Sequence, residues 1–488
     1  MITRETTRDP RRILILVCVA QFMLLVDDTI VNLALPAIGD ELEFSGSGLS
    51  WVTNAYFLTF GGFLLLGGRL ADAIGRRRLF AISLSAFVLA SLACGLALNG
   101  ETLVIARGIQ GTAGAMLSPS ALAILLATYK EPAARARALG VWAALTGLGA
   151  ATGLLLGGAL VEWTDWRWIF LINLPVGVAA LLLLPRVVAP DVRREKKSPT
   201  DVIGALTATA GLLLLVYTVV ETESHGWSSP RTLWSFAAVA VLLGAFAVRQ
   251  RVVTDPLIPR QLLRIRSVVY ADMLTLVAAS GLFAMFFFLT LYMQEIQGWS
   301  AVRAGISYLP FTAAMAMGSA VGAKVLSTRL GRVPLMVGPL VGALGLFLMS
   351  RLDATSSYVG SLMPALVVLG VGLGMTFVPL MHAATGGAGE GEGGLSSALM
   401  TTSQQVGAAI SIAALVTVAT GRTEDLVMAG SPLATATVEG FARAFEIQAG
   451  LLALAAVLGA LVAKALQCEA KRGRPRAQSE AQKVGAAA

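Results

Sequence analysis

Charged side chains interrupt two otherwise apolar stretches of the sequence. Asp27 and Asp28 lie within the stretch at residues 13–34, and Arg107 lies within the stretch at 102–126. If these stretches cross a membrane, a charge near the bilayer centre costs about 2.5–3.5 kcal/mol, so a charge retained there indicates a function. A carboxyl group can bind and release a proton, whereas arginine stays charged and can only pair with or tune a neighbour. The pattern favours a proton-handling or cation-attracting role for Asp27, and less so for Asp28.

Asp27 and Arg107 are expected to meet, directly or through water. Counting residues from the ends of their stretches at about 1.5 Å per residue places both roughly 7–9 Å from the outer edge of a 30 Å apolar core. Adjacent residues point about 100° apart on a helix, so Asp27 and Asp28 cannot both face one partner. Two alternatives stay open. The first span ends early and leaves both carboxylates in water, or Arg107 extends its guanidinium towards the interface as a structural residue.

The composition is that of a membrane protein. The chain has 488 residues, of which 56% are hydrophobic and 14% are charged, whereas soluble domains carry about 25% charged residues. The net charge of +8 comes from arginines in short loops between apolar stretches, which indicates orientation in a membrane rather than binding to nucleic acid. Three cysteines and two distant histidines offer no metal site or catalytic constellation, and no phosphate-binding loop is present. We therefore expect no enzyme activity, no metal and no cofactor.

The apolar stretches divide the chain into fourteen candidate spans of about 20 residues each. They lie near 13–34, 49–68, 79–98, 102–126, 136–160, 166–185, 201–220, 232–249, 268–292, 302–326, 333–350, 357–380, 398–420 and 445–466. Basic loops alternate with neutral or acidic ones, so the positive-inside rule predicts that both termini are cytoplasmic. The expected class is an all-α integral membrane protein.

A short charged segment at Gly67–Phe80 separates the second and third spans. It resembles the loop between helices two and three of the major facilitator superfamily. The matching residues are Gly68, Asp72, Gly75, Arg76 and Arg77. The resemblance implies that this loop gates the transporter by locking the outward-facing state from the cytoplasmic side.

The resemblance also implies how the chain is divided. A weak internal repeat places Gly75 on Gly331, as expected for two six-helix halves. Residues 1–185 would form the first half and 267–467 the second. Cytoplasmic linkers and two inserted helices would occupy 186–266, and 468–488 would be a disordered basic cytoplasmic tail. This arrangement of six, two and six helices is similar to the fourteen-helix drug:proton antiporter branch.

Further motifs resemble that branch. The first-helix motif matches Val26–Ile38, and the fourth-helix motif matches Arg107, Gln110 and Gly111. The family implies proton coupling at Asp27 and Arg107. The fifth-helix motif is matched by Gly153, Gly157 and Gly158, with Leu154 in place of its proline, so any gating hinge there must use glycines. The segment Asp165–Gly177 also resembles this branch, and we interpret its Arg167 and Asn173 as structural, with Asp165 beside Arg167.

Other polar residues are candidates for a substrate cavity or for the membrane interface. The cavity candidates are Asp28, Asn32, Gln110, Glu295, Gln404 and Gln405. Asp272 and Lys324 lie near inner ends of their spans, where we expect them to extend towards water.

Together these features predict a monomeric multi-pass protein of the cell membrane. Its expected function is proton-coupled export of hydrophobic drugs or antibiotics, cations among them, with protons, substrate and lipid as its partners and no nucleic acid. The alternatives are a narrow exporter of an endogenous metabolite or antibiotic, a nutrient importer, or a membrane receptor or scaffold that uses this fold without transport.

Overall fold

A computed structural model describes residues 9–44, 46–129, 131–191, 201–254, 256–258, 260–326, 328, 330–386 and 393–485. Every regular element in these ranges is a helix. The longer helices are labelled in chain order: α1 Pro10–Glu41, α2 Trp51–Ile74, α3 Arg76–Gly95, α4 Gly100–Thr128, α5 Pro132–Trp163, α6 Trp168–Val187, α7 Val202–His225, α8 Pro230–Val252, α9 Arg266–Leu291, α10 Ala301–Leu326, α11 Pro334–Met349, α12 Met363–Gly386, α13 Gly393–Met428 and α14 Leu433–Gly485. Short helices lie at Gly46–Leu49 and Arg260–Arg264, and π-helical turns at Tyr292–Ile296 and Tyr358–Leu362.

Each predicted span overlaps one of these helices. Within the described ranges, 11 helices are long and apolar enough to cross a membrane, and two shorter apolar helices lie at Ala151–Trp163 and Pro334–Met349. The all-α class is therefore confirmed, whereas the count of fourteen spans and the cytoplasmic position of the termini stay predictions. Below, "inner" and "outer" denote the predicted cytoplasmic and external ends of the helices.

The segment between α2 and α3 is shorter than the sequence suggests. Instead of a charged loop over Gly67–Phe80, α2 continues to Ile74 and α3 begins at Arg76, so only Gly75 is outside a helix. Both helices continue because charged residues do not prevent a helix from extending past the bilayer core, where its ends are solvated. Gly75 has a φ of 103°, a backbone conformation that glycine adopts without a steric penalty. A Cβ atom there would also lie 2.3 Å from Oδ2 of Asp191.

Glycines bring neighbouring helices of each half close together. A Cβ atom on Gly153 of α5 would lie 1.9 Å from Oγ1 of Thr29 on α1. A Cβ atom on Gly157 would lie 2.9 Å from the carbonyl oxygen of Ile30, also on α1. In the second half, Gly318 of α10 lies against the backbone of α12 in the same way. Close backbone approach at small residues is how helices associate in a bilayer, where lipid is as apolar as their side chains.

The two halves meet along several helices. At the outer ends, Gly158 of α5 lies against Ala301 of α10, and Gly305 lies against Leu154. Nearby, Nε2 of Gln294 donates to the carbonyl oxygen of Leu33 at 3.0 Å.

The inserted helix α7 lies against this junction from the side. Thr209 of α7 contacts Gly62 of α2, and Oγ1 of Thr417 on α13 donates to the carbonyl oxygen of Val219 at 3.4 Å. The inserted helix α7 is therefore packed on both halves rather than separate from them.

The last helix, α14, continues to Gly485, and 486–488 lie outside the described residues. The disordered basic tail at 468–488 stays a prediction. Most residues after Cys468 are Ala, Arg, Gln, Glu and Lys, which are strong helix formers. Extending an existing helix requires no new nucleation, which favours helix here despite Pro475.

Candidate functional site

Five polar side chains from four helices meet inside the first half. They are Asp27 on α1, Ser91 on α3, Arg107 and Gln110 on α4, and Asn173 on α6. We call this group the Asp27 cluster. Asp27, Ser91 and Gln110 are fully buried, and Arg107 and Asn173 are 1% and 2% exposed. Buried polar groups are costly unless they are paired, so the contacts within the cluster determine whether it can exist.

Both oxygens of Asp27 are hydrogen-bonded. Nη1 of Arg107 donates to Oδ2 at 2.9 Å. Nε2 of Gln110 and Nδ2 of Asn173 donate to Oδ1 at 2.8 and 2.7 Å. Ser91 Oγ accepts from Gln110 at 2.9 Å. The expected meeting of Asp27 and Arg107 is therefore confirmed as a direct ion pair, and the carboxylate is held by three donors.

Arg107 has further contacts that do not depend on Asp27. Its Nε donates to the carbonyl oxygen of Val52 at 3.0 Å, and its Nη1 also donates to Oε1 of Gln110 at 2.6 Å. Its guanidinium carbon lies 4.3 Å from the ring centre of Tyr56, a cation–π distance. Gln110 lies three residues after Arg107, on the same helix face. The cation thus keeps favourable partners when the carboxyl group is neutral.

The neighbouring carboxyl group is in a different environment. Asp28 is half-buried, and its Oδ1 is shielded from solvent without a hydrogen-bond partner in the described residues. Only Asp27 pairs with Arg107, as the 100° spacing of adjacent residues requires. Asn32, one turn further along α1, donates to the carbonyl oxygen of Thr29 at 3.2 Å, so its amide bonds its own helix.

A partly open cavity lies in the second half, between α9, α10, α12 and α13. Its polar lining consists of Thr275, Thr376 and Gln404, and the other lining side chains are Ala, Leu, Met and Phe. Gln404 lines this cavity, and its role in substrate binding stays a prediction. Gln405 instead lies at the contact between α2 and α13, where a Cβ atom added to Gly61 would be 3.0 Å from the Cβ of Gln405. Glu295 is exposed in the π-helical turn after α9.

A family model for the Major Facilitator Superfamily matches residues 17–412. The chain belongs to the major facilitator superfamily. The puromycin resistance protein pur8 of Streptomyces alboniger is 41% identical over 462 residues, which are 92% of this chain and 91% of that protein. The cephamycin export protein CmcT of Amycolatopsis lactamdurans is 38% identical over 83% of this chain and 84% of its own length. Such names are those expected for the drug:proton antiporter branch.

Solved structures agree with this fold. A bacterial homologue of the human lysosomal transporter Spinster, in an inward-facing and occupied conformation, has a TM-score of 0.70 at 14% identity, over 93% of this chain and 97% of that one. The POT family transporter PepTSo has a TM-score of 0.66 at 15% identity, over 94% of this chain and 98% of that one. This chain is a multi-pass membrane protein with the superfamily's fold.

The superfamily loop residues near Gly75 contact the end of the first half. The carboxylate of Asp191, after α6, accepts hydrogen bonds from the backbone nitrogens of Arg77 and Arg78, both at 3.0 Å. Nη1 of Arg76 donates to the carbonyl oxygen of Ala123 at 3.4 Å. A Cβ atom on Gly68 would meet open space. The side chain of Asp72 lies outside the described residues, so the gating role of this loop stays a prediction.

Two members of the cluster were not predicted from the sequence. Ser91, which accepts from Gln110, was not a candidate, and Asn173 was interpreted as structural, but the structure places its amide on Asp27. The available signal was an amide inside an apolar span, at the depth of Asp27. Its neighbour Arg167 is at the outer end as expected: Nη1 lies 3.5 Å from Asp165 and 2.7 Å from Glu41 on α1. The latter contact joins the start of α6 to the outer end of α1.

Proposed function

We propose that the protein exports an apolar, antibiotic-like compound across the cell membrane in exchange for protons. The observation that supports this is the Asp27 cluster: a carboxylate within the apolar core, paired with an arginine that has other partners. The apolar cavity in the second half supports a hydrophobic substrate, and the printed names of the relatives support an antibiotic.

In the proposed mechanism, a proton from outside binds to Asp27 and neutralises it. The ion pair weakens, and Arg107 remains bonded to Val52 and Gln110 and stacked on Tyr56. Because Asp27, Arg107 and Asn173 lie on three different helices, loss of the pair changes the forces between α1, α4 and α6. The first half can then move relative to the second. Release of the proton to the inside restores the pair and the starting state.

Alternating access requires the halves to separate at one end at a time. The glycine contacts between α5 and α10, at Gly158 and Gly305, are the outer contacts that must open. The Asp191 carboxylate, bound to the start of α3, is placed to hold the inner end of the first half as one unit. Substrate enters from the cytoplasm or inner leaflet and leaves through the outer opening.

The first test is Asp27→Asn in proteoliposomes loaded with ethidium or puromycin. The asparagine keeps the shape of the protonated carboxyl group but cannot release a proton. We expect substrate transport against its gradient, driven by a pH gradient, to fall to the level of protein-free vesicles. Downhill exchange of substrate should continue. Asp353→Asn, at an exposed outer carboxyl group, is the matched control and should transport normally. A variant Asp27→Asn that still accumulates substrate against its gradient would contradict the coupling role.

A narrow substrate range is the second candidate, because several of the relatives are named for a single antibiotic. Cells that express the protein can be tested for susceptibility to a panel including puromycin, cephamycin and tetracenomycin C. Protection against one compound only would establish a narrow exporter, and protection against many a broad one. Binding without movement in proteoliposomes would instead indicate a receptor or scaffold.

A further inference from the structure

We propose that Asp272 on α9 is a second proton-binding site, located in the second half of the molecule. The sequence led us to expect that this side chain extends towards water at the inner end of its span. That expectation is wrong, because Asp272 is only 9% exposed. Neither of its oxygens takes part in a hydrogen bond or ion pair in the described part of the chain, and Oδ1 is fully shielded from solvent. Its surroundings therefore differ from those of Asp27.

Asp272 lies on the helix face that lines the cavity. Thr275, Ala279 and Leu282 of α9 all line it, and they follow Asp272 by three, seven and ten residues. Such spacings place side chains on one face of a helix. Asp272 is thus one turn closer to the inner end than the cavity lining. Its carboxyl group lies at the inner boundary of the cavity.

An apolar contact between the halves lies one further turn towards the inner end. There, Val268 of α9, Leu65 of α2 and Leu399 of α13 form a buried cluster, which we call the inner closure. Val268 precedes Asp272 by four residues and is on the same face. The carboxyl group therefore lies between the cavity and the inner closure, and opening of this closure would expose it to water from the inner side.

Among the described residues, no charged side chain of the surrounding helices forms an ion pair with Asp272. On α13, the sequence has no charged residue from Gly393 to Gly421. On α2, the guanidinium of Arg69 donates to the carbonyl oxygen of Pro256, and the side chain of Asp72 lies outside the described residues. Other charged or titratable groups lie on adjoining inner ends. Arg332 is half-buried, and the rest are exposed to solvent: Arg264, Arg266, Lys324, His382 and Lys464.

The free energy of the carboxylate then depends on the inner closure. An ionised carboxyl group without a partner in apolar surroundings is strongly disfavoured, and such a group becomes neutral by binding a proton. While the closure is intact, Asp272 carries a proton. When Leu65 and Leu399 separate from Val268, water can solvate the carboxylate and the proton can leave to the inside. Proton release and inner opening are thus one linked equilibrium, in a different half from Asp27.

The role of this site in transport rests on the proposed function, but proton binding itself can be tested without transport. Infrared spectra of the purified full-length protein are recorded during a pH titration. A protonated carboxyl group without hydrogen-bond partners has a carbonyl stretch at higher frequency than solvated ones. We expect such a band, expect it to disappear in Asp272→Asn, and expect it to persist in Asp27→Asn. In Asp272→Glu it should persist at a shifted frequency, which covers the case in which Asp272→Asn does not fold.

The controls separate this proposal from its rivals. Asp353→Asn, at an exposed carboxyl group, should leave the high-frequency band unchanged. A spectrum that is identical in wild type and Asp272→Asn would overturn the proposal. It would also be overturned if Asp272→Asn abolished ethidium binding without removing the band, since the carboxyl group would then bind a cationic substrate. If the band behaves as expected while Asp27→Asn still pumps, the proposed coupling role of Asp27 fails and this site stands.

Discussion

The first half of the molecule surrounds its buried carboxylate with donors, whereas the cavity side of the second half is almost entirely apolar. Asp27 accepts hydrogen bonds from Arg107, Gln110 and Asn173. Asp272, one turn from the cavity, has no partner in the described residues. Both carboxyl groups are at least nine-tenths buried, so the difference lies in the surroundings and not in the depth.

This contrast indicates different tasks for the two halves. A carboxylate held by three fixed donors is a preorganised site, whose charge can be changed without loss of the surrounding network. An apolar wall with a few polar groups selects a ligand by shape and hydrophobic area, with orientation fixed by the polar groups. We infer that the first half holds the proton-sensitive ion pair, and that the second half, with Asp272 at the inner end of its cavity, contacts most of the substrate.

The largest effect is expected when the buried ion pair is broken from one side. Arg107→Ala leaves Asp27 buried without its cation, and removing one partner of a buried pair costs about 3–5 kcal/mol. We expect a corresponding drop in the free energy of unfolding, measured by thermal denaturation in detergent. Arg303→Ala is the matched control. Arg303 is exposed and stacks on Trp299 at 4.2 Å, a contact worth about 0.5–1 kcal/mol.

A double variant sharpens this test. In Asp27→Ala with Arg107→Ala, no uncompensated charge remains, so the protein should be more stable than with Arg107→Ala alone. If the two losses simply add, the residues are not energetically coupled, and the contrast between the halves loses its main support.

The sequence was sufficient to predict the fold class and the contact between Asp27 and Arg107. Apolar stretches of membrane length predict helices because the backbone must satisfy its own hydrogen bonds in lipid. The equal depth of Asp27 and Arg107 predicts their contact because depth follows from the rise per residue. The residues at which helices end on the inner side could not be predicted in the same way, because hydropathy indicates the part of a helix in the bilayer core and not its end. The helices that continue on both sides of Gly75 are an example.

The sequence could not predict how each helix is rotated about its own axis, and therefore which neighbours its side chains face. Asn173 and Ser91 lie at suitable depths, but whether they face Asp27 depends on how α3 and α6 pack. The same holds for Gln404 and Gln405, which are adjacent in sequence and face different surroundings in the structure. Asp272 is a third case. Its position near the end of a span predicted contact with water, whereas the helix face on which it lies places it at the inner boundary of the cavity.

An intermediate effect is expected when the polar lining of the cavity is removed. Gln404→Ala deletes an amide that can hydrogen-bond the substrate, and one such bond contributes about 0.5–1.5 kcal/mol. We expect KM for transport to rise about two- to tenfold with little change in its pH profile. Gln405→Ala removes the adjacent amide, which lies outside the cavity lining, and should leave KM unchanged. A shift of the pH profile in Gln404→Ala would show that the cavity also takes part in proton coupling.

The smallest effect is expected at Asp353, in the outer loop between α11 and the following π-helical turn. The side-chain hydroxyl of Thr355 donates to its Oδ1 at 2.8 Å, and this bond, with further donors from Thr355 and Ser356, lowers the pKa of Asp353. A lowered pKa means that the ionised form is preferred in the folded state. Its contribution to stability is therefore present above the pKa of the unfolded chain and is lost as the pH falls through the lower, folded value. Thermal unfolding of Asp353→Asn should show a small loss of Tm at neutral pH and none in strong acid. A pH-independent loss would mean that the loop depends on the shape of this side chain and not on its charge, and Asp353 would then be an unsuitable reference for the two buried carboxyl groups.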